Sequence, residues 1–425
     1  MWTRPTAFAV CFVLACIANV SPASEALTLD AAIERVIREH PDLRLHQFVE
    51  TGLSAQVDRE SYGPPLSVGL QLENAPGTNA YSGMQGAELT LSLASVLERG
   101  GKRDARRALA ASRIDALGMQ RATVLLDLMA EVAQRYLDLV SAQADTLIAA
   151  EDLEQRERTV SAAARRVQAG ASPESVALAA EAMRARAAVD AARAEANVTA
   201  AWRRLQALWA EPADGEVPST SADPLKLPDI PDYAALRALL ERNPQLRGFA
   251  NEARIREARL RLSDSASKPD IDWQLGVRRL EADDSWAMVA GMSMPLGTRD
   301  RAEASTRAAR AELDSLAFER ESSERRLDSL LAEAHGQFTA ARIEVERTAE
   351  DVLPRLARAE ASAEQAYRAG ALSYLDWALL QRETTAARRQ QLAAAVSAHR
   401  ALIEIQRLTG EALVTSTGST QDSVP

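Results

Sequence analysis

The hydrophobic pattern of the chain changes near residue 100. Before that point apolar residues alternate with polar ones, which predicts a strand with one apolar and one polar face: Ala87, Leu89, Leu91 and Leu93. After Lys102 the apolar positions follow the spacing of a helix. Gly100 and Gly101 lie between the two patterns, and glycine has the backbone freedom that a turn from strand to helix requires. The pattern therefore predicts a two-faced strand that runs directly into a long helix.

The same sequence plan occurs twice. Five pairs of segments match in the same order along the chain: 38–44 with 241–247, 65–72 with 269–277, 101–103 with 297–299, 168–171 with 368–371, and 209–211 with 409–411. Because chance does not readily place five matches in one order, the sequence indicates a tandem duplication. Each copy is predicted to contain a helix, two strands, a long helix, a tight turn and a return helix.

The first repeat is predicted at residues 27–210. It contains a helix at 29–61, a β-hairpin at 66–93 and a long helical hairpin at 102–209. The first arm of that helical hairpin, 102–168, has no proline and would extend for roughly 100 Å at about 1.5 Å per residue. A compact domain has no place for a helix of that length, so the pattern indicates an elongated molecule.

The second repeat is predicted at residues 232–411, with a β-hairpin at 271–294 and a helical hairpin at 301–408. Pro354 is expected to kink the first arm of this hairpin. A proline-rich linker, 211–231, separates the two repeats, because its prolines prevent a continuous helix. The second copy thus repeats the plan of the first after a break in the chain.

The two ends of the chain are predicted to lie outside this plan. Residues 1–26 have the apolar run and the small residues of a secretory signal peptide. Both cysteines, Cys11 and Cys16, lie in this segment, so the mature chain is expected to contain no disulfide. A lipidated Cys16 is an alternative. The polar residues 412–425 are predicted to form a disordered tail.

Four strands are too few for a membrane barrel, which needs at least about eight. No segment after the signal peptide approaches the roughly 18 continuous apolar residues of a transmembrane helix, so a mature chain that spans a membrane must do so as a β-barrel. The long, alanine-rich helices need neighbouring helices to pack against. Both observations predict an oligomer.

Charge and motifs exclude several functions. The formal net charge of -10 argues against nucleic-acid binding. The four histidines have no ligand spacing with one another: His40, His46, His335 and His399. His40, which precedes Pro41, is interpreted as a helix-end residue. Three methionines share one strand face, where lipid contact explains them better than metal binding: Met288, Met292 and Met294. Since no catalytic motif is present, the sequence predicts no enzyme, no cofactor and no resident metal.

The two tight turns are predicted to be the tips of the helical hairpins. In the first, Gly170 is expected to end a helix, Ser172 to cap the next one, and Pro173 to occupy its first position. The second tip uses corresponding residues: Arg368, Gly370, Leu372, Ser373, Tyr374 and Asp376. Here Ser373 and Asp376 are predicted to form a variant capping box. Either these residues only reverse the chain, or the tips form a docking rim with Leu372 and Tyr374 exposed.

Basic residues follow the first strand-to-helix junction: Lys102, Arg103, Arg106 and Arg107. The second junction has Gly297 and Arg299 at the equivalent place. We expect the basic residues of the first junction to meet anionic lipid headgroups at the inner boundary of the membrane. The alternative is that they bind the acidic surface of a partner protein.

Three segments, together with the duplicated plan and the signal peptide, carry a resemblance to a known family: the junction 97–103, its counterpart 294–301 and the second tip 367–376. The chain resembles the TolC-like outer-membrane efflux proteins over about residues 27–411. The Gly-Gly-Lys-Arg run at 100–103 and the His-Pro-Asp-Leu run at 40–43 are most similar to the heavy-metal branch, the cobalt-zinc-cadmium (CzcC-like) type.

The resemblance implies a mainly α fold with a small membrane β part. It implies a homotrimer, in which four strands per chain contribute to a 12-stranded outer-membrane β-barrel and the helical hairpins form a trimeric α-barrel in the periplasm. The tips would dock onto a periplasmic adaptor protein and an inner-membrane RND-type pump. The first tip departs from the family pattern, because it lacks the apolar residue that the second has at Leu372.

The function implied is a passive exit duct for heavy-metal cations in the outer membrane of a Gram-negative bacterium. A duct for drug efflux or type I protein secretion would share the fold and differ in its pump. A non-membrane coiled-coil scaffold is a second alternative. The unbroken apolar faces of the strands argue against the scaffold, because they would need something to cover them.

Overall fold

The computed structural model describes residues 26–410, except for residue 77 and residues 210–215. Most of the predicted signal peptide, part of the predicted linker and the predicted tail lie outside the described residues. The described chain is mainly helical and contains one sheet of four antiparallel strands. The predicted fold class, mainly α with a small β part, is confirmed.

The segment predicted as one helix at 29–61 is two helices, α1 (Leu29–Glu39) and α2 (Pro41–Ser61). His40 between them is extended, with ψ at 129°, because a residue that precedes proline is sterically kept from the helical region. Its Nδ1 atom accepts a hydrogen bond from the backbone N–H of Asp42 at 3.3 Å and so caps α2. The prediction of a single helix is wrong, and the interpretation of His40 as a helix-end residue is confirmed.

Both repeats contribute to the one sheet. Its strand order is β1 (Ser67–Glu73), β2 (Glu88–Leu97), β3 (Ile271–Leu280) and β4 (Ser285–Ser293). Strands β2 and β3 continue past their predicted ends at residues 93 and 277. Within the described chain, β1 pairs with β2 alone and β4 with β3 alone. The sheet therefore has two open edges with unpaired backbone groups.

The register of the sheet places apolar residues side by side on one face. Leu70 lies opposite Leu91, Leu91 opposite Val277, and Val277 opposite Met288. A second row runs beside it: Val68, Leu93, Leu275 and Ala290. These side chains are uncovered in the single chain, with Met288 77% exposed. An apolar face that crosses four strands without cover requires lipid or protein against it.

Long helical hairpins extend from the sheet. The first consists of α3 (Lys102–Gln168) and α4 (Glu174–Gln206). Helix α3 has 67 residues, which corresponds to roughly 100 Å at about 1.5 Å per residue. Its predicted length is confirmed. The short helix α5 (Tyr233–Leu239) and the longer helix α6 (Pro244–Ser265) precede β3, and α6 packs against α3.

The second helical hairpin consists of α7 (Thr298–Arg347), α8 (Leu353–Ala369) and α9 (Tyr374–Thr409). A π-helical segment, Thr348–Val352, separates α7 from α8 and ends two residues before Pro354. Pro354 has no backbone N–H and cannot donate the hydrogen bond of a regular α-helix. The α-helix is therefore interrupted close to the position that the proline predicts.

The helices form a layer with two open edges. Helix α3 packs against α2, α4, α6 and α9, while α7 packs against α6 and α9. This order leaves α2 and α4 at one edge of the layer and α7 and α8 at the other. Each repeat has its own apolar core, one around Val132, Leu139 and Leu205, the other around Leu331 and Phe338.

The described part of the linker, 216–231, crosses the helical layer. Polar contacts hold it to α3, α9 and α7, among them Thr220 Oγ1 to Gln143 Oε1 at 2.7 Å, His399 Nε2 to the carbonyl of Pro224 at 3.0 Å, and Arg342 Nη1 to Asp229 Oδ1 at 2.8 Å. Burial lowers the pKa of His399, which favours the neutral imidazole. The linker therefore ties helices of both repeats together.

The packing predicts a difference between two leucines. Leu331 in α7 is completely buried, whereas Leu147 in α3 is 68% exposed. Leu331→Ala is expected to lower the free energy of unfolding by about 2–5 kcal/mol, because it leaves a cavity in the core. Leu147→Ala should change it little. The melting temperature of the detergent-solubilised protein measures both, and equal shifts would contradict this arrangement.

Candidate functional site: the hairpin tips and the strand-to-helix junctions

The first tip ends α3 with a glycine in the left-handed region. Gly170 has φ +68°, and its N–H donates to the carbonyl of Val167 at 2.9 Å. The predicted roles of Ser172 and Pro173 are wrong. Helix α4 begins at Glu174 with Pro173 at the N-cap position, and no side chain caps it. The Oγ atom of Ser172 accepts a hydrogen bond from Arg166 Nε at 3.2 Å instead.

The second tip has the predicted capping box. Gly370, with φ +81°, ends α8, and Ser373 is the N-cap of α9. The Oγ atom of Ser373 accepts from the backbone N–H of Asp376 at 3.3 Å and donates to its carboxylate at 2.7 Å. Arg368 pairs with Glu364 in the last turn of α8. The two tips are therefore built differently, although their sequences correspond.

Arg166 near the end of α3 joins the two tips. Its guanidinium donates to the carbonyl of Tyr367 at the end of α8, and to the carbonyl of Ala171 at 3.3 Å. Its Cζ atom lies 5.1 Å from the centre of the Tyr367 ring. Helix C-terminal carbonyls and an aromatic face both attract a cation. Arg166 was not predicted from the sequence. The signal that could have found it is a difference between the repeats, because the matching position of the second repeat is Ala366.

Three aromatic side chains fill the space beneath the second tip. Tyr367, Tyr374 and Trp377 are all buried, and the ring centres of Tyr367 and Trp377 lie 5.1 Å apart. Burial raises the pKa of both tyrosines, which keeps their hydroxyl groups neutral. The prediction that Tyr374 is exposed is wrong, because its ring packs into this cluster. Leu372 is also partly buried against it.

Other apolar side chains are exposed beside the tips. Leu375 and Leu379 lie one turn apart on α9 and are 69% and 47% exposed. Leu178 on α4 is also exposed, near the first tip. Because side chains four apart share a helix face, Leu375 and Leu379 form one apolar patch. This patch occupies the place that Leu372 and Tyr374 were expected to have.

Glycine is required at the first strand-to-helix junction. Gly100 and Gly101 have φ +78° and +71°, which favours glycine at both. A Cβ atom on Gly100 would also lie 2.7 Å from Cγ of Lys268. Gly297, with φ +73°, precedes α7 at the second junction. Both junctions thus have glycine in the left-handed conformation, and at the first junction the predicted turn from strand to helix is confirmed.

Two of the basic residues at the first junction form ion pairs within the chain. Lys102 Nζ lies 2.7 Å from a carboxylate oxygen of Asp270. Arg106 donates to both carboxylate oxygens of Glu98, at 2.7 and 2.9 Å, and to Glu60 at 3.1 Å. The prediction that Lys102 and Arg106 meet lipid headgroups is wrong, because these carboxylates already neutralise them. Three other basic residues of the junctions are exposed: Arg103, Arg107 and Arg299.

Neither a metal centre nor a membrane-crossing helix is found in the part of the chain that the structure describes. There, no three or more His, Cys, Asp and Glu side chains are grouped so that they could hold a metal ion. Within the same residues, no helix combines the length and the apolar character needed to cross a membrane.

Comparison with known proteins decides the family. The family model described as outer membrane efflux protein matches the chain twice, at residues 32–211 and 235–411. The chain belongs to the outer membrane efflux protein family. It is an outer-membrane protein of a Gram-negative bacterium and not an enzyme, as predicted. The alternative of a non-membrane scaffold is wrong.

Individual relatives of this efflux protein agree with that family. It is 28% identical over 315 residues to the cobalt-zinc-cadmium resistance protein CzcC of Cupriavidus metallidurans, covering 74% of this chain and 75% of that one. The crystal structure of CusC is similar with a TM-score of 0.73, at 18% identity, over 90% of this chain and 91% of that one. The CmeC outer membrane channel of Campylobacter jejuni gives 0.73 at 14% identity, over 96% and 94%. These structures share the fold.

The two tips predict different responses to the same substitution. Ser373→Ala removes the N-cap of α9 and is expected to destabilise its first turn by about 1 kcal/mol. Ser172→Ala should leave the first turn of α4 unchanged, because Ser172 caps no helix. Hydrogen exchange of the efflux protein in detergent measures both turns. Faster exchange at α4 in Ser172→Ala would show that Ser172 is a cap after all.

Proposed function

We propose that this efflux protein is the outer-membrane component of a tripartite export system for heavy-metal cations. It acts as a homotrimer that forms one passive, water-filled duct through the outer membrane and the periplasm. A periplasmic adaptor docks at the hairpin tips and connects the duct to an inner-membrane RND-type pump, which supplies the energy.

The observation that carries this proposal is the four-stranded sheet with an apolar face and two open edges. In lipid, every backbone N–H and C=O group at a strand edge needs a partner. If β1 of one chain pairs with β4 of the next, the contact repeats from chain to chain and the sheet closes. Three chains then give twelve strands, with the apolar face toward lipid and the polar face toward the lumen.

The helical layer is open at the same two sides as the sheet. Helix α2 leads into β1, and β4 leads into α7, so pairing of β1 with the next chain's β4 brings α2 beside the next chain's α7. Both helices have an exposed phenylalanine, Phe48 on α2 and Phe318 on α7. At about 1.5 Å per residue, Phe48 lies about 20 Å from the end of α2 that adjoins the sheet, and Phe318 lies about 30 Å from the end of α7 that adjoins the sheet. The open edges of the helical layer thus support contact with the same neighbouring chains as the open edges of the sheet.

The proposed edges predict that a charge at Phe318 weakens the trimer. Phe318→Glu would place a carboxylate in the contact between chains, where its desolvation is unfavourable. We expect a clear loss of trimer in detergent, measured by size-exclusion chromatography with light scattering, and the same for Phe48→Glu.

Leu147→Glu is the matched control for these two variants. Leu147 is 68% exposed, but it lies on α3, which is not at an edge of the layer. A trimer that is as stable in Phe318→Glu as in Leu147→Glu would contradict the proposed contact.

The assignment to metal cations is supported by the relative CzcC, whose name gives resistance to cobalt, zinc and cadmium. The resemblance of residues 100–103 and 40–43 to the heavy-metal branch agrees with it.

At the tips, the capped second tip and the exposed pair Leu375 and Leu379 support docking of the adaptor. Apolar side chains that remain uncovered at the end of a long helix are suited to a protein partner.

Metal tolerance tests the proposed cargo. A strain that lacks this chain is expected to lose tolerance to Co²⁺, Zn²⁺ and Cd²⁺, because these cations have no exit through the outer membrane. Its tolerance to organic drugs should not change, and expression of the intact chain should restore growth. Growth on metal salts and on drugs measures both. Sensitivity to drugs alone would favour the drug-efflux alternative, and a secretion defect the protein-export alternative.

A further inference from the structure

On the polar face of the sheet, one arginine connects three strands. Arg278 of β3 donates from Nη1 to Glu88 of β2 at 2.5 Å and from Nη2 to Glu73 of β1 at 2.8 Å. Its Nε atom donates to Thr90 Oγ1 at 2.9 Å, and Thr90 is almost completely buried. The guanidinium is therefore held in place on three sides.

The two carboxylates lie at the end of the sheet that is far from the helices. Glu73 is the last residue of β1, Glu88 is the first of β2, and the register places them directly opposite each other. Asn74 donates from Nδ2 to the second carboxylate oxygen of Glu88 at 3.1 Å. The side chains of Glu73 and Glu88 are 39% and 24% exposed, so an ion in the lumen of the proposed barrel reaches them.

Two opposed carboxylates without a cation have two chemical consequences. Like charges directly opposite each other on a sheet destabilise it. Carboxylate oxygens are also ligands for divalent metals such as Zn²⁺, which they bind at about 2.0–2.2 Å. If Arg278 were absent, an oxygen-lined pocket would remain at the mouth of a duct for metal cations. Its oxygens would come from Glu73, Glu88 and the side chain of Asn74.

Arginine is the residue suited to prevent this binding. It stays protonated in proteins, and its planar group makes strong charge-assisted hydrogen bonds to two carboxylates at once. A divalent cation therefore has to displace a positive charge that cannot be lost by deprotonation. A duct must release its cargo, and a site that retains the cargo at the exit slows release.

We propose that Arg278 prevents the exit of the duct from trapping the metal cations that pass through it. It does so by occupying the carboxylates of Glu73 and Glu88, once in each chain of the trimer. This inference rests on the proposed function as a cation duct. A purely structural Arg278 would neutralise the same charges, but its removal would not create sensitivity to metal.

The test is the current through the trimer in a planar lipid bilayer. The current is carried by K⁺, and Cd²⁺ is added at millimolar concentration. The K⁺ current of the wild type is expected to change little. In Arg278→Gln it should fall at least about twofold, because the freed carboxylates bind the metal, and EDTA should restore it.

Two controls separate metal binding from damage to the sheet. In Arg278→Gln combined with Glu73→Gln and Glu88→Gln, the carboxylates are gone and the response to Cd²⁺ should disappear. Arg279→Gln is the matched single variant, since Arg279 pairs with Glu281 and Asp284 and not with Glu73 or Glu88. It should behave as the wild type does.

The outcomes distinguish the inference from the proposed function. If Arg278→Gln responds to Cd²⁺ no more than the wild type, or if the triple variant responds equally, the inference is wrong although the duct conducts. If the wild-type trimer passes no K⁺ current, the proposed function fails. If Arg278→Gln does not insert into the bilayer, Arg278→Lys takes its place in the test. The single ammonium of lysine engages one carboxylate at a time, so a partial block of the current by Cd²⁺ is expected. The absence of any block in this variant would overturn the proposal.

Discussion

The unpaired backbone groups at the two edges of the sheet constrain the rest of the structure. Lipid supplies no hydrogen-bond partners, so each edge needs a strand from another chain. The strands connect directly to α2, α3 and α7, and the choice of neighbour at the sheet therefore also determines which helices meet. The hydrogen-bonding requirement of one short sheet therefore also determines how the long helical hairpins of neighbouring chains are arranged.

The two repeats are joined within the chain at several heights. The sheet joins them through β2 and β3, and the linker joins α3, α9 and α7. Nearer the tips, Arg156 of α3 donates to Gln381 of α9 at 2.9 Å, and both side chains are buried. A buried polar pair of this kind is satisfied in one alignment of the helices, which helps to fix their register.

The sequence predicted the features that depend on neighbouring residues. Strand alternation, the duplicated plan, the glycine junction and the capping box at Ser373 all arise from patterns a few residues long. The break between α1 and α2 at His40 was not predicted, although its cause, Pro41, is visible in the sequence. The roles of Ser172, Tyr374 and Lys102 were wrong because their partners, among them Asp270, lie in another element or in the other repeat. Spacing along the chain does not reveal such contacts.

The difference between the two tips has a consequence for the symmetry of any partner. Three chains would present six tips around the rim, and the tips would alternate between the uncapped kind that ends at Gly170 and the capped kind that ends at Gly370. The rim would therefore have threefold and not sixfold chemical symmetry. A partner with three copies would meet each chain in one way, whereas a ring of six identical copies would have to recognise two unlike surfaces in turn.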